Sequence, residues 1–77
     1  MATEINMPKC GISMTEGEIV TWFKEVGDEV ETGENVLEFK ENKAVHQVAA
    51  RASGVLKEIL VHEGEKAKVG AVLGIIE

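Results

Sequence analysis

Three glycines recur at an interval of 37 residues: Gly17, Gly27 and Gly33 return as Gly54, Gly64 and Gly70. Six of the eight glycines in the chain obey this register. Apolar positions follow it as well, pairing Ile19 with Leu56, Trp22 with Ile59, Phe23 with Leu60, Val30 with Ala67, Val36 with Leu73 and Phe39 with Ile76. Glycine weakens a strand interior and suits positions that need positive φ. Glycines paired at equal intervals therefore mark equivalent turns in two similar halves. A single repeated pair cannot build a solenoid, which needs three or more units. Two halves related by an approximate two-fold axis are expected instead.

Each half reads as short strands. Residues 4–7 alternate polar and apolar, and in 36–39 Val36 and Glu38 face one way while Leu37 and Phe39 face the other. Segments 17–23 and 54–61, rich in Ile, Val, Leu and Trp, each end near a glycine turn. Segments 45–49 and 72–76 are short apolar strands, and 26–30 and 63–67 read as matching turns. A helix over 18–26 is disfavoured by the flanking Gly17 and Gly27 and by the branched residues between them. The expected fold is all-β, a flattened barrel or sandwich with pseudo-two-fold symmetry.

With 77 residues the chain forms one domain, 1–77, with a small core. A deep catalytic cleft would compete with that core for the same few side chains, which favours a carrier or interaction module over an independent enzyme. The formal charge of −6 and the scattering of eight bases among fourteen acids exclude a nucleic-acid surface. His46 and His62 have no metal-ligand spacing with each other or with Cys10, and no nucleophile–base motif or phosphate-cradling glycine loop is present. No metal or catalytic residue is expected. The single cysteine cannot form an internal disulfide. The segment from Met1 to Glu4 lacks the features of a signal peptide, and no apolar run is long enough for a membrane helix. A cytoplasmic location is expected (the mitochondrial matrix in a eukaryote), with no membrane partner.

Glu41-Asn42-Lys43-Ala44 lies between the strand ending near Lys40 and the one starting near Val45. Asparagine tolerates turn geometry, so a tight hairpin is expected here, with Lys43 at or beside its tip. By position alone such a lysine ordinarily keeps a sheet edge soluble. An exposed primary amine is protonated at neutral pH, so another enzyme would have to remove its proton before acylating it. Lys40 still belongs to the strand and is expected to lie along the sheet face, with its stem packed and its amine among acids.

These residues together resemble the lipoyl-domain family of the 2-oxo acid dehydrogenase acyltransferases, over nearly the whole chain. Met7-Pro8-Lys9, Gly11, Met14, Glu16-Gly17, Ile19, Trp22, Gly27-Asp28, Val30 and Gly33 follow the family's first half in order and spacing, and Ser53-Gly54 and Glu63-Gly64 its second. Asn42-Lys43-Ala44 stands where the family has Asp-Lys-Ala around its modified lysine. The resemblance implies a barrel-sandwich hybrid of two four-stranded antiparallel sheets, with lipoate in amide linkage to Lys43, flanked by Asn42 and Ala44. It also implies a swinging arm that serves a thiamine-diphosphate decarboxylase, an acyltransferase core and a dihydrolipoyl dehydrogenase, after loading by a lipoate-attaching enzyme. The parent complex would use a 2-oxo acid or acetoin. The chain departs from the family at Lys40, Glu41 and Asn42, which replace Glu-Thr-Asp or Glu-Ser-Asp, and at Cys10, often leucine there.

Three other readings stand beside this one. Biotin carriers resemble the same fold but flank their lysine with methionines, and the lipoylated carrier of glycine cleavage is longer. An unmodified interaction domain would use Glu16, Asp28, Glu29 and Glu31 as an acidic docking face. Of the remaining residues, Trp22, Phe23 and Phe39 are expected in or beside the core. Met7 and Met14 should fill gaps, Cys10 should pack as a small apolar group, and His46 and His62 should lie at the surface.

Overall fold

The structure is a computed structural model that describes residues 2–77. Met1, the first residue of the expected 1–77 domain, lies outside them. Eight strands follow one another: β1 (Thr3–Asn6), β2 (Glu16–Trp22), β3 (Glu29–Val30), β4 (Asn35–Glu41), β5 (Ala44–Ala49), β6 (Gly54–Ile59), β7 (Lys66–Lys68) and β8 (Val72–Ile76). They form two antiparallel four-stranded sheets, β1-β8-β6-β3 and β5-β4-β2-β7. No helix forms over 18–26. The branched residues there extend into β2 instead, as expected. The segments read as turns contribute more than turns, because β3 and β7 are short strands that close an edge of each sheet.

The two sheets are copies of each other at the level of single hydrogen bonds. Gly27 N–H donates to Leu56 C=O and Gly64 N–H to Ile19 C=O, both at 2.8 Å. Phe23 N–H donates to Val36 C=O as Leu60 N–H does to Leu73 C=O. Gly27 and Gly64 have φ of 99° and 88°, and Gly33 and Gly70 have 89° and 88°. Gly17 and Gly54 serve a different purpose. A Cβ on Gly17 would stand 2.8 Å from Phe39 Cδ2, and one on Gly54 would stand 3.1 Å from Ile76 Cγ2. Each glycine lets its strand approach the equivalent core side chain.

Bulges repeat too. The β2–β4 register shifts between Ile19 and Thr21, and the β6–β8 register between Leu56 and Glu58. A third shift, between Asn35 and Leu37, corrects the simple alternation expected of β4. With an extra residue in the ladder, Val36 and Leu37 are both fully buried.

Inside the barrel the repeat pairs Ile19/Leu56, Val30/Ala67, Val36/Leu73 and Phe39/Ile76 are all buried, joined by Met7 and Met14 as expected. Trp22 and Ile59 are half-buried, and Trp22 Nε1 donates to Val61 C=O at 2.9 Å. Phe23 does not enter the core. It is 45% exposed, and its counterpart Leu60 is 46% exposed. Both residues follow a half-buried residue at a strand end, so alternation turns them outward. On the surface, Lys24 Nζ lies 2.8 Å from Glu34 Oε2. That hydrogen bond raises the lysine above its ordinary value and holds the Glu34 carboxyl below its own.

One segment breaks the symmetry. Met7 exchanges backbone bonds with Ala71 and Gly70 as Ala50 does with Glu34 and Gly33, so β1 and β5 correspond at an offset of 43 instead of 37. Residues 8–16 separate Met7 from Gly17, whereas only 51–53 separate Ala50 from Gly54. The longer loop forms one wall of the site described next.

Candidate functional site

The β4–β5 hairpin turns in two residues, Asn42 and Lys43, between the paired residues Glu41 and Ala44. Two-residue hairpin loops favour turns whose first central residue has positive φ, and asparagine adopts that conformation at small cost. Asn42 does so, with φ of 54°. Its side-chain amide donates to Glu41 Oε2 at 2.9 Å, which ties the turn to the strand before it. Lys43 follows at the tip. It is exposed, as are Asn42 and Ala44, and among the described residues no carboxylate lies within ion-pair distance of its amine.

Lys40 differs from expectation. It belongs to β4, between Glu18 of β2 and Val45 of β5, but is exposed and makes no ion pair among the described residues.

Beside the hairpin runs a groove of about 310 Å³. The long loop supplies Ser13, Met14 and Thr15 to one wall, and Lys40, Glu41 and Asn42 form the other. Lys43 is outside this groove. A group attached to its amine would project from the turn into solvent, and the exposed neighbours Asn42 and Ala44 leave approach to the amine open. The site therefore fits a long flexible prosthetic arm, and it fits no enclosed cofactor.

The remaining candidates disperse. Glu16 lies on β2 beside Lys66, whereas Asp28, Glu29 and Glu31 lie in and around β3 on the other sheet. Asp28 Oδ2 accepts the Glu25 N–H in its own turn. The four residues do not form one acidic face. Cys10 is exposed and does not pack as an apolar residue, because the loop carries it away from the core. His62 is exposed at a turn, as expected.

His46 is a residue whose role the sequence did not disclose. Its ring stacks on Phe39, with centroids 5.3 Å apart, and its Nε2 is buried without a hydrogen-bond partner, 3.8 Å from Glu41 Oε1. The available signal was parity: His46 shares the inward face of β5 with Val48, and Glu41 shares the inward face of β4 with Phe39.

Comparison with known proteins matches residues 3–76 to the biotin/lipoyl family, described as biotin-requiring enzyme. Among curated proteins, the chain is 37% identical over 73 residues to the dihydrolipoyllysine-residue succinyltransferase component of the 2-oxoglutarate dehydrogenase complex of Staphylococcus saprophyticus. It is 40% identical over 72 residues to the dihydrolipoyllysine-residue acetyltransferase component of the acetoin cleaving system of Pseudomonas putida. These alignments cover 95% and 94% of this chain but only 17% and 20% of the two relatives. Among solved structures, the lipoyl domain of the 2-oxoglutarate dehydrogenase complex of Azotobacter vinelandii superposes with a TM-score of 0.74 at 31% identity, over 95% of each chain. The urea carboxylase of Kluyveromyces lactis superposes with a higher TM-score, 0.84, at 25% identity, over all of this chain and 6% of that one. The backbone therefore superposes on a lipoyl domain and on part of a carboxylase alike.

Proposed function

This chain belongs to the biotin/lipoyl family, whose members hold a covalent cofactor on a lysine, and from that premise we propose that Lys43 carries lipoate and that the domain is a lipoyl carrier of an acyltransferase component. The observation that carries the proposal is the placement of Lys43: the second residue of a two-residue turn, exposed, unpaired among the described residues and flanked by small exposed neighbours. Lipoate is favoured over biotin by the relatives, which are dihydrolipoyllysine-residue acyltransferase components, and by Asn42 and Ala44 in place of methionines.

When bound, a lipoyl group would supply a redox-active disulfide suited to acyl transfer. The chain's own part is display. Attachment requires the Lys43 Nζ, deprotonated by the attaching enzyme, to attack the acyl carbon of an acyl adenylate. The amide C–N bond forms, the bond to the adenylate phosphate breaks, AMP leaves and the amine proton passes to the enzyme's base. A turn at the end of a strand pair lets that enzyme close around the amine without prying the sheet apart. Once the arm is attached, tethering makes each visit to a partner active site intramolecular, which raises the effective concentration. The partners proposed are a thiamine-diphosphate decarboxylase, the acyltransferase core and a dihydrolipoyl dehydrogenase. The relatives support a 2-oxo acid or acetoin complex.

The test is expression in cells that make both cofactors, followed by intact mass and peptide mapping. A single lipoyl group on Lys43 is expected, abolished in Lys43→Arg and retained in Lys40→Arg, with both variants folded. Lipoyl on Lys40 would refute the site, and a biotinyl group would refute the cofactor. An unmodified domain would favour the interaction-module reading.

A further inference from the structure

Behind Lys43 the inward face of the hairpin carries two polar groups at the rim of the core, His46 and Glu41, both half-buried. His46 Nε2 is, among the described residues, the one buried side-chain polar atom without a hydrogen-bond partner. It faces Glu41 Oε1 at 3.8 Å, beyond hydrogen-bonding range, and the Glu41 side chain is only 18% exposed. The other oxygen, Glu41 Oε2, accepts the Asn42 amide at 2.9 Å. Asn42 holds the left-handed conformation that aims Lys43. At the other end the imidazole lies against Phe39, which is fully buried and wedged against Gly17. A series of contacts thus runs from the core through His46, Glu41 and Asn42 to the turn, interrupted at one place, between His46 Nε2 and Glu41 Oε1.

We propose that His46 and Glu41 form a proton-responsive brace that positions the Lys43 hairpin for the enzyme that acylates it. This rests on the reading of Lys43 as the attachment site. Protonation places a donor on Nε2 and a positive charge opposite the carboxylate. Closing the gap takes less than about 1.2 Å, to the 2.7–2.9 Å of a charge-assisted bond. Because the two oxygens of Glu41 are used separately, the bond to His46 forms without displacing Asn42. The carboxylate then bridges the ring on β5 to the turn residue, and the hairpin is held from both sides. In the neutral ring the positive charge that draws the carboxylate across the gap is absent.

Other charges do not compete for the imidazole. On β4, Glu38 and Lys40 point to the outer face, opposite Gln47 and Val45. On β2 the inward residues are Gly17 and Ile19, while Glu16 and Glu18 point outward. On β1 the inward residue is Ile5, with Glu4 outside. From the turn, Lys43 is exposed and paired with no carboxylate among the described residues. Glu41 is the one carboxylate within ion-pair distance of His46 among the described residues.

The test combines a titration with a rate. In the isotopically labelled domain, the backbone amides of Asn42, Lys43 and Ala44 should follow the His46 ring through one common midpoint as the pH is lowered. In Glu41→Gln the ring should still titrate while the turn amides stay flat. The rate of lipoyl transfer to Lys43 from lipoyl adenylate by a lipoate-attaching ligase is then compared between the parent and His46→Gln at each pH. The ratio cancels the ligase's own pH dependence, and it should rise about two- to fivefold as the pH falls through that midpoint. A purely structural His46 would lower the melting point and leave the ratio flat, which would overturn the brace. Turn amides that ignore His46 would overturn it whichever lysine is acylated. Acylation mapped to another lysine would overturn the attachment reading, while a coupled titration would still establish the contact. If His46→Gln fails to fold, the same rate comparison with Glu41→Gln decides.

Discussion

Replacing Gly27 or Gly64 by valine should destabilise the domain by about 1–3 kcal/mol each. The two glycines sit in exposed turns with φ of 99° and 88°, and a Cβ built on either meets nothing within 4 Å. Crowding by neighbours therefore adds nothing, and the cost is that of forcing a β-branched residue into positive φ. Relaxing to negative φ offers no cheap escape. It would break the 2.8 Å bond from Gly27 N–H to Leu56 C=O, or its counterpart from Gly64 N–H to Ile19 C=O, at about 1 kcal/mol each. An unfolding entropy of about 2.1 cal/mol/K per residue makes 1 kcal/mol worth about 6 °C in a chain this size. Each variant should then melt about 6–18 °C below the parent, and the two losses should be similar because the turns are equivalent. Thermal melts followed by circular dichroism read both. Gly11→Val is the control: its Cβ also meets open space, without positive φ, and it should stay within about 0.5 kcal/mol of the parent. Unchanged midpoints at both turn positions, or an equal loss at Gly11, would refute the assignment of strain to these turns.

Gly17→Ala should cost about 1–3 kcal/mol by overpacking, since its Cβ would stand 2.8 Å from Phe39 Cδ2 and 3.2 Å from Met7; urea unfolding measures it. Trp22→Phe keeps most of the packing but loses the bond to Val61 C=O, and should cost about 0.5–1.5 kcal/mol in the same assay. The Glu34 carboxyl is held low by Lys24, so its contribution is present above the unfolded value and lost as pH falls through the folded one. Glu34→Gln should therefore flatten the acid limb of stability between about pH 3 and 5, an effect that shrinks in 1 M salt (about 3 Å screening length). The raised Lys24 works in the opposite sense, its share being complete below the unfolded lysine value and lost as pH rises through the folded one.

Much of this architecture was legible because it depends on local backbone chemistry repeated twice. Glycine spacing located the turns at Gly27, Gly33, Gly64 and Gly70, and apolar spacing located the core pairs, since a residue's preferred φ and its polarity travel with the residue. The turn at Asn42 and the exposure of Lys43 were readable for the same reason. The resemblance to a known family, and not the spacing, singled out Lys43 from other exposed lysines.

What the tertiary structure alone decided depends on pairing between residues distant in sequence. The short strands β3 and β7 carry too few residues to announce themselves, and they exist because β6 and β2 offer them a ladder. The bulge that buries Val36 beside Leu37 arises from the register of β4 against β5. The exposure of Phe23, Lys40 and Cys10 follows from which neighbours the fold leaves absent, and no residue type encodes that. The offset of 43 between β1 and β5 hides from a search at 37, because the extra loop shifts one strand without disturbing its hydrogen bonds. His46 meets Glu41 only because the hairpin folds β5 back along β4. Side-chain polarity is a property of the residue, whereas partnership across a sheet is a property of register, and register is set by the whole barrel.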